Sequence, residues 1–180
     1  MRPILSATQT YNYALAKWLD DKLKLLAINQ YMISDTFKFL NEVHELAINN
    51  GDILISYDVS SLFTDVPLEE TIHLLANKAM LINNWFNEMY HLNLNKLDLA
   101  DLLRTATKDK RFTFNGQLYE LTDGVVMGFP LGPLLANVFM CSIEEALERE
   151  GKMPTYYLRF VDDTLIIMPD KASADNFLEI

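Results

Sequence analysis

Apolar residues recur at helical spacing through Tyr13, Ala16, Leu19, Leu23 and Leu26, which predicts an amphipathic helix over about residues 9–28. Ser34-Asp35 is a good N-cap pair for a second helix, with Phe37, Leu40, Val43 and Ala47 on one face. Asn49-Asn50-Gly51 would end it, since glycine suits the left-handed C-terminal position. The next run, Ile53-Leu54-Ile55-Ser56-Tyr57-Asp58, is nearly continuous in apolar residues and predicts a central strand buried on both faces. Pro67 then opens a helix, and Glu69 and Glu70 in its first turn read as a solvated cap favoured by the helix dipole. Asn95 caps a further helix through Leu99, Leu102 and Leu103. Asn115-Gly116 between Arg111 and Tyr119 marks a type I′ hairpin. A long helix from Leu134 to about Glu150 stops at Gly151. Last come two β-branched and aromatic runs, Tyr156–Val161 and Thr164–Ile167, with Asp162-Asp163 at the tip of a hairpin between them. At the other end, Pro3 keeps Arg2-Pro3-Ile4-Leu5-Ser6 short and extended.

Composition narrows the function. The chain has 180 residues, 50% hydrophobic and 22% charged, which is one globular domain with room for a core. Its single Cys141 excludes a disulfide framework and a four-cysteine zinc site, and reads as a small core residue. No secretory signal precedes the first helix and no apolar run reaches membrane-spanning length, so an intracellular setting without a membrane is expected. A net charge of −10 argues against nucleic-acid binding through general basicity. A local basic channel, or cations from missing parts of a longer protein, would be needed. Arg104, Lys108, Lys110 and Arg111 form the one basic cluster; it serves equally as a helix C-terminal flank or as a phosphate contact. His44 reads as structural, His73 and His91 as surface residues.

Three local signals carry candidate chemistry. Asp58 ends a buried strand, where a carboxylate has little place except at a turn or a functional edge. Asp162-Asp163 sets two like charges side by side; alone it fits a plain turn as well as a metal site. The loop from Asp123 to Pro133 holds Gly124, Gly128, Gly132, Pro130 and Pro133 and runs into a helix, so a ligand could approach its backbone closely. It is not a Walker A loop, because no Gly-Lys-Ser/Thr ends it. If the two strands are neighbours, Asp58 and Asp162 project toward one point with Asp163 close by. Three such carboxylates invite a hard cation, Mg²⁺ or Mn²⁺.

Taken together and in order, these stretches resemble the palm motifs of reverse transcriptases, most of all those of Penelope-like retroelements, with telomerase as a more distant relative. Ser56–Pro67 is similar to the first palm motif, Asp123–Asn137 to the second, and Phe160-Val161-Asp162-Asp163 to the x-x-Asp-Asp box. Arg2-Pro3-Ile4 resembles the tail of a fingers motif. The resemblance implies an α+β fold, with partial helical fingers over residues 1–51 and, over 52–180, a palm core whose antiparallel sheet is backed by helices on one face, in a chain truncated before the thumb. It implies RNA-directed DNA polymerase activity with two Mg²⁺ ions (Mn²⁺ possible), a dNTP substrate, and an RNA or DNA template with a DNA primer. By the same resemblance Asp58, Asp162 and Asp163 would be catalytic metal ligands, with the Val59 carbonyl as a further oxygen ligand. Phe63, five residues after Asp58, matches the aromatic gate that excludes a ribose 2′-hydroxyl. The amides of Leu62 and Phe63 would face the triphosphate, while Met127, Gly128 and Arg2 would lie beside the nucleotide, and Pro133 would fix the start of the following helix.

Some positions depart from the family pattern. Phe129 stands where Penelope-like sequences usually have Ser and is expected to enlarge the loop beside the nucleotide. Met127 takes a position that is Gln in many reverse transcriptases, and Phe160 replaces a frequent Tyr. The thumb, the primer grip and a GIY-YIG endonuclease would belong to missing regions of a longer polyprotein. A nuclear location would follow from action at chromosomal DNA. The rival readings are an inactive or host-adopted remnant with a binding or structural role, and a non-enzymatic Mg²⁺- or Ca²⁺-binding domain.

Overall fold

The computed structural model describes residues 10–81, 84–108 and 111–178, so the expected extended segment Arg2–Ser6 lies outside the described residues. The chain forms two compact units that interleave along the sequence: residues 1–28 with 61–142, and residues 29–60 with 143–180. Compactness therefore divides the chain differently from a boundary at residue 51.

The first unit is helical. Its α1 (Tyr13–Leu23) buries Ala16, Leu19 and Leu23, and a 3₁₀ turn (Lys24–Ala27) continues it, so the predicted helix over 9–28 is shorter and tightens at its end. Here α3 (Leu62–Asp65) is a single turn and α4 (Leu68–Leu81) buries Leu68, Ile72, Leu75, Ala76 and Ala79. The short α5 (Trp85–Tyr90) and α6 (Lys96–Ala106) follow, α4 packing on both and α1 on α6. Asn95 and Asp98 form a reciprocal capping box at the start of α6, which explains why that boundary was predictable. Buried Asn12 donates to the carbonyls of Ala106 and Lys108 and so closes the other end. The hairpin of β2 (Arg111–Phe114) and β3 (Gln117–Glu120) turns through Asn115 (φ 49°) and Gly116 (φ 76°), as its sequence predicts. Arg104 of the basic cluster pairs with Glu69 at 2.9 Å and with Asp101 at 2.8 Å; Lys110 lies outside the described residues. Cys141 is buried in this unit, as expected.

The second unit holds a three-stranded antiparallel sheet of β1 (Ile53–Asp58), β5 (Asp163–Met168) and β4 (Tyr156–Phe160), in the order β1-β5-β4. Its core joins Tyr157, Ile166 and Met168 to Ala174 of α8 (Lys171–Leu178), with Ile53, Ile55, Tyr57 and Phe177 packed around them. The expectation of a doubly buried central strand is corrected: β1 is an edge strand, and Leu54 is 51% exposed. Leu54, Ser56 and Asp58 share one face, while Ile53, Ile55 and Tyr57 share the other, so the strand alternates despite its apolar start. A second correction concerns α2 (Thr36–Glu45). Asp35 caps it as predicted, but it ends at Glu45, and Phe37 is 80% exposed on a helix with no buried residue. Gly51, at φ 115°, serves the turn into β1 instead. The long helix α7 (Gly132–Arg149) gives its residues up to 142 to the first unit and the rest to the second. Among the described residues no helix is long and apolar enough to cross a membrane.

Candidate active site

The acidic residues of the second unit are assembled by strand register. In the β1–β5 ladder Tyr57 faces Thr164 and Asp58 faces Asp163. The Thr164 hydroxyl donates to the Tyr57 carbonyl at 3.1 Å and accepts from its amide at 3.3 Å, which pins that register from a buried position. One step further, the Val59 amide donates to the Asp162 carbonyl at 2.9 Å. Position 59/162 is thus hydrogen-bonded, which makes 58/163 the non-hydrogen-bonded pair, where facing side chains stand closest. Two like charges in that relation repel and weaken the sheet edge. The turn itself comprises Val161 and Asp162, with Asp163 already the first residue of β5. So the facing partner of Asp58 is Asp163, and Asp162 lies in the adjoining turn.

Among the described residues, no hydrogen bond or ion pair engages the side chains of Asp58, Asp162 or Asp163. Asp58 and Asp163 are exposed and Asp162 half-buried. Among the described residues no group of three or more His, Cys, Asp or Glu side chains is placed so as to hold a metal ion. The adjoining ends of β1 and β5 and the turn before β5 nevertheless carry carboxylate oxygens that no cationic side chain occupies among the described residues. That donor set fits Mg²⁺ or Mn²⁺ and does not fit a soft metal.

A buried ion pair stands behind the turn, and sequence reasoning missed it. Arg159 is fully buried in β4, and its Nε meets Glu144 Oε1 at 2.6 Å while Nη2 reaches Oε2 at 3.3 Å. The same carboxylate accepts from the Tyr157 hydroxyl at 3.1 Å and from Asn29 Nδ2 at 2.7 Å. The remaining arm of the guanidinium donates from Nη1 to the carbonyl of Val161 at 3.0 Å. Val161 has φ 58°, a left-handed conformation that a β-branched residue rarely adopts. The signal was present: a charge inside Tyr157-Leu158-Arg159-Phe160 requires a buried partner, and Glu144 on the apolar helix is the matching anomaly.

Leu62, Phe63, Met127 and Gly128 belong to the first unit. Thr64 and Asp65 amides close onto the Ser61 carbonyl at 2.9 and 3.1 Å, which leaves the Leu62 and Phe63 amides outside the turn's own ladder. Leu62 is buried, whereas Phe63 is half-buried. The glycine-rich loop docks on this turn: the Val125 amide donates to the Phe63 carbonyl at 2.7 Å. A Cβ on Gly124 would lie 2.4 Å from the Thr64 carbonyl oxygen, so only glycine permits that approach. Met127 is half-buried and Gly128 is exposed at φ 91°. Phe129 corrects an expectation. It is buried, lining a small cavity with Leu68, Thr107, Val126 and Leu131, and so fills the interior rather than enlarging the loop's outer surface. Arg2 lies outside the described residues.

The profile of a family described as reverse transcriptase (RNA-dependent DNA polymerase) matches residues 1–180. The chain belongs to the reverse transcriptase family. No curated protein matches it by sequence. Among solved structures, the apo telomerase of Candida tropicalis, truncated from its C-terminal domain, is similar at TM-score 0.60 and 16% identity. That match covers 95% of this chain and 37% of the telomerase chain. The Candida albicans telomerase in complex with a fragment of telomeric RNA is similar at TM-score 0.57 and 15% identity, over 92% of this chain and 32% of that one. The chain thus spans about a third of the length of the telomerase chains it resembles. This reverse transcriptase chain shares their mixed fold of helices and antiparallel sheet.

Proposed function

We propose that the chain is the polymerase core of an RNA-directed DNA polymerase, adding deoxynucleotides to the 3′-hydroxyl of a primer paired with an RNA or DNA template. The observation that carries this reading is the register that sets Asp58 opposite Asp163, with Asp162 in the adjoining turn. These three carboxylates and the Val59 carbonyl are the proposed ligands for two Mg²⁺ or Mn²⁺ ions. When bound, the ions lower the pKa of the primer hydroxyl and neutralise charge developing on the triphosphate. The chain's own part is to hold the carboxylates at one sheet edge and to leave them free of competing cations. No side chain need form a covalent bond with the substrate, and none of the histidines takes a role.

On the nucleotide side, the Leu62 and Phe63 amides are proposed to meet the triphosphate, and the Phe63 ring to exclude a 2′-hydroxyl. Met127, the exposed Gly128 backbone and Arg2 are the proposed neighbours of the base and sugar. We assign residues 1–51 to partial fingers and 52–180 to the palm, with a Penelope-like retroelement as origin and a nuclear site of action. A thumb and an endonuclease from the rest of a longer polyprotein are the proposed partners.

Primer extension on an RNA template tests the proposal. The wild type should extend with dNTPs and Mg²⁺, and Asp162→Ala should reduce extension to background. Extension that survives the substitution removes the catalytic assignment. Absence of extension by the wild type even when joined to a thumb would favour a fold kept without polymerase activity.

A further inference from the structure

We infer that the buried Arg159–Glu144 pair is a positioning device for the acidic turn, holding Asp162 in register through the carbonyl of Val161. Three observations on this pair carry the inference. Glu144 grips it at two points, so it cannot rotate. The Tyr157 hydroxyl and Asn29 in turn fix the carboxylate. The Nη1 group donates to the carbonyl of a residue whose backbone conformation is unfavourable for its side chain. A two-residue turn through a β-branched residue at positive φ tends to open, and the carbonyl anchor opposes that opening from inside the unit. Asp162 directly follows, and its carbonyl receives the Val59 amide. Displacing the turn would therefore break the backbone hydrogen bond that ties Asp162 to the end of β1. Neither Arg159 nor Glu144 is a ligand in this scheme; they act on the backbone that presents the ligands. Only the consequence for metal binding rests on the nucleotidyl-transfer reading.

The test uses amide hydrogen exchange on the full chain, with Mn²⁺ titration as a separate arm. Arg159→Met combined with Glu144→Leu removes both charges together, which leaves no buried ion without a partner. The Val59 amide reports the turn, because it donates to Asp162. The Ile33 amide, which donates to the Arg159 backbone carbonyl at 2.8 Å, reports the strand independently of the side chain. In the double variant Val59 should exchange at least about tenfold faster while Ile33 is unchanged. Adding Val161→Gly, which accepts positive φ without strain, should bring Val59 back to within about threefold of wild type. Mn²⁺ affinity should fall about 10–100-fold, the usual cost of losing an outer-shell partner. Arg159→Lys retains a charge for Glu144 but lacks the fork, and should accelerate Val59 even if the double variant does not fold.

Unchanged exchange at Val59 in the folded variants overturns the inference whatever the metal does. Acceleration of Val59 and Ile33 together also overturns it, since the pair would then only stabilise the sheet. Selective acceleration of Val59 with no Mn²⁺ binding by the wild type supports the positioning role and removes the metal-dependent reading of the site.

Discussion

Two hairpins of this chain turn through two residues each, and they solve the same geometric problem in opposite ways. At Asn115-Gly116 both residues tolerate positive φ, no neighbour lies within 4 Å of a Cβ built on Gly116, and β3 is exposed throughout. At Val161-Asp162 the turn carries a β-branched residue at φ 58° and is tied to a fully buried arginine. The first tip is relaxed and needs no help from the rest of the unit. The second is unfavourable by itself and persists because the surroundings over-determine it, the condition under which strain collects at functional sites. A turn whose sequence suits it is a connection; one that must be held open to its own preferences has another task.

That contrast can be broken most forcefully at Arg159. Arg159→Met alone strands Glu144 as a buried charge and should cost about 3–5 kcal/mol, a large part of a typical domain's stability. Urea denaturation reads it directly, and a loss below about 1 kcal/mol would mean the pair is not buried as described. Next come two glycine changes of opposite sign. Gly116→Ala at φ 76° should destabilise by about 1–2 kcal/mol, because a Cβ disfavours the left-handed region even where space is open. Val161→Gly should instead stabilise by about 0.5–1 kcal/mol, the strain released less the entropy that glycine adds to the unfolded chain. If both substitutions destabilise alike, the two tips do not differ in strain.

The smallest effect is expected at the far end of β5, where Asp170 accepts from the Ser173 amide at 2.7 Å and caps α8. This hydrogen bond holds the Asp170 carboxyl below its ordinary range. The folded state therefore binds its proton less readily than the unfolded chain. The stabilisation is complete above the usual aspartate value of about 3.9 and fades as pH falls through the folded-state value. Asp170→Asn keeps a capping acceptor but should flatten that acid limb in a series of melts against pH.

Much of the frame was legible because local chemistry and tertiary structure agree there. The Asn95-Asp98 capping box, the Asn115-Gly116 turn, Asp35 as N-cap and Gly151 as the stop of α7 each satisfy backbone groups within a few residues. The acidic trio was legible as residue types in order, whereas the pairing of Asp58 with Asp163 depends on register. The sequence misled where apolar character did not mean burial. Ile53-Leu54-Ile55 suggested a doubly buried strand, yet Leu54 faces outward at a sheet edge. Phe37 and Leu40 form a helical apolar face that is left exposed within the second unit. The buried pair of Arg159 and Glu144 is separated by 15 residues, beyond any local periodicity, and α8 has too short an apolar pattern to stand out.

The facing carboxylates are tested most directly by thermal melts with and without Mg²⁺, comparing wild type with Asp163→Asn. Repulsion across the 58/163 pair should make the metal-free wild type less stable than the variant by about 0.2–1 kcal/mol. Added Mg²⁺ should raise the wild-type melting temperature, since a ligand that binds only the folded state stabilises it, and should leave Asp163→Asn nearly unmoved. Equal responses of the two proteins to Mg²⁺ would contradict the assignment of this sheet edge as a cation site.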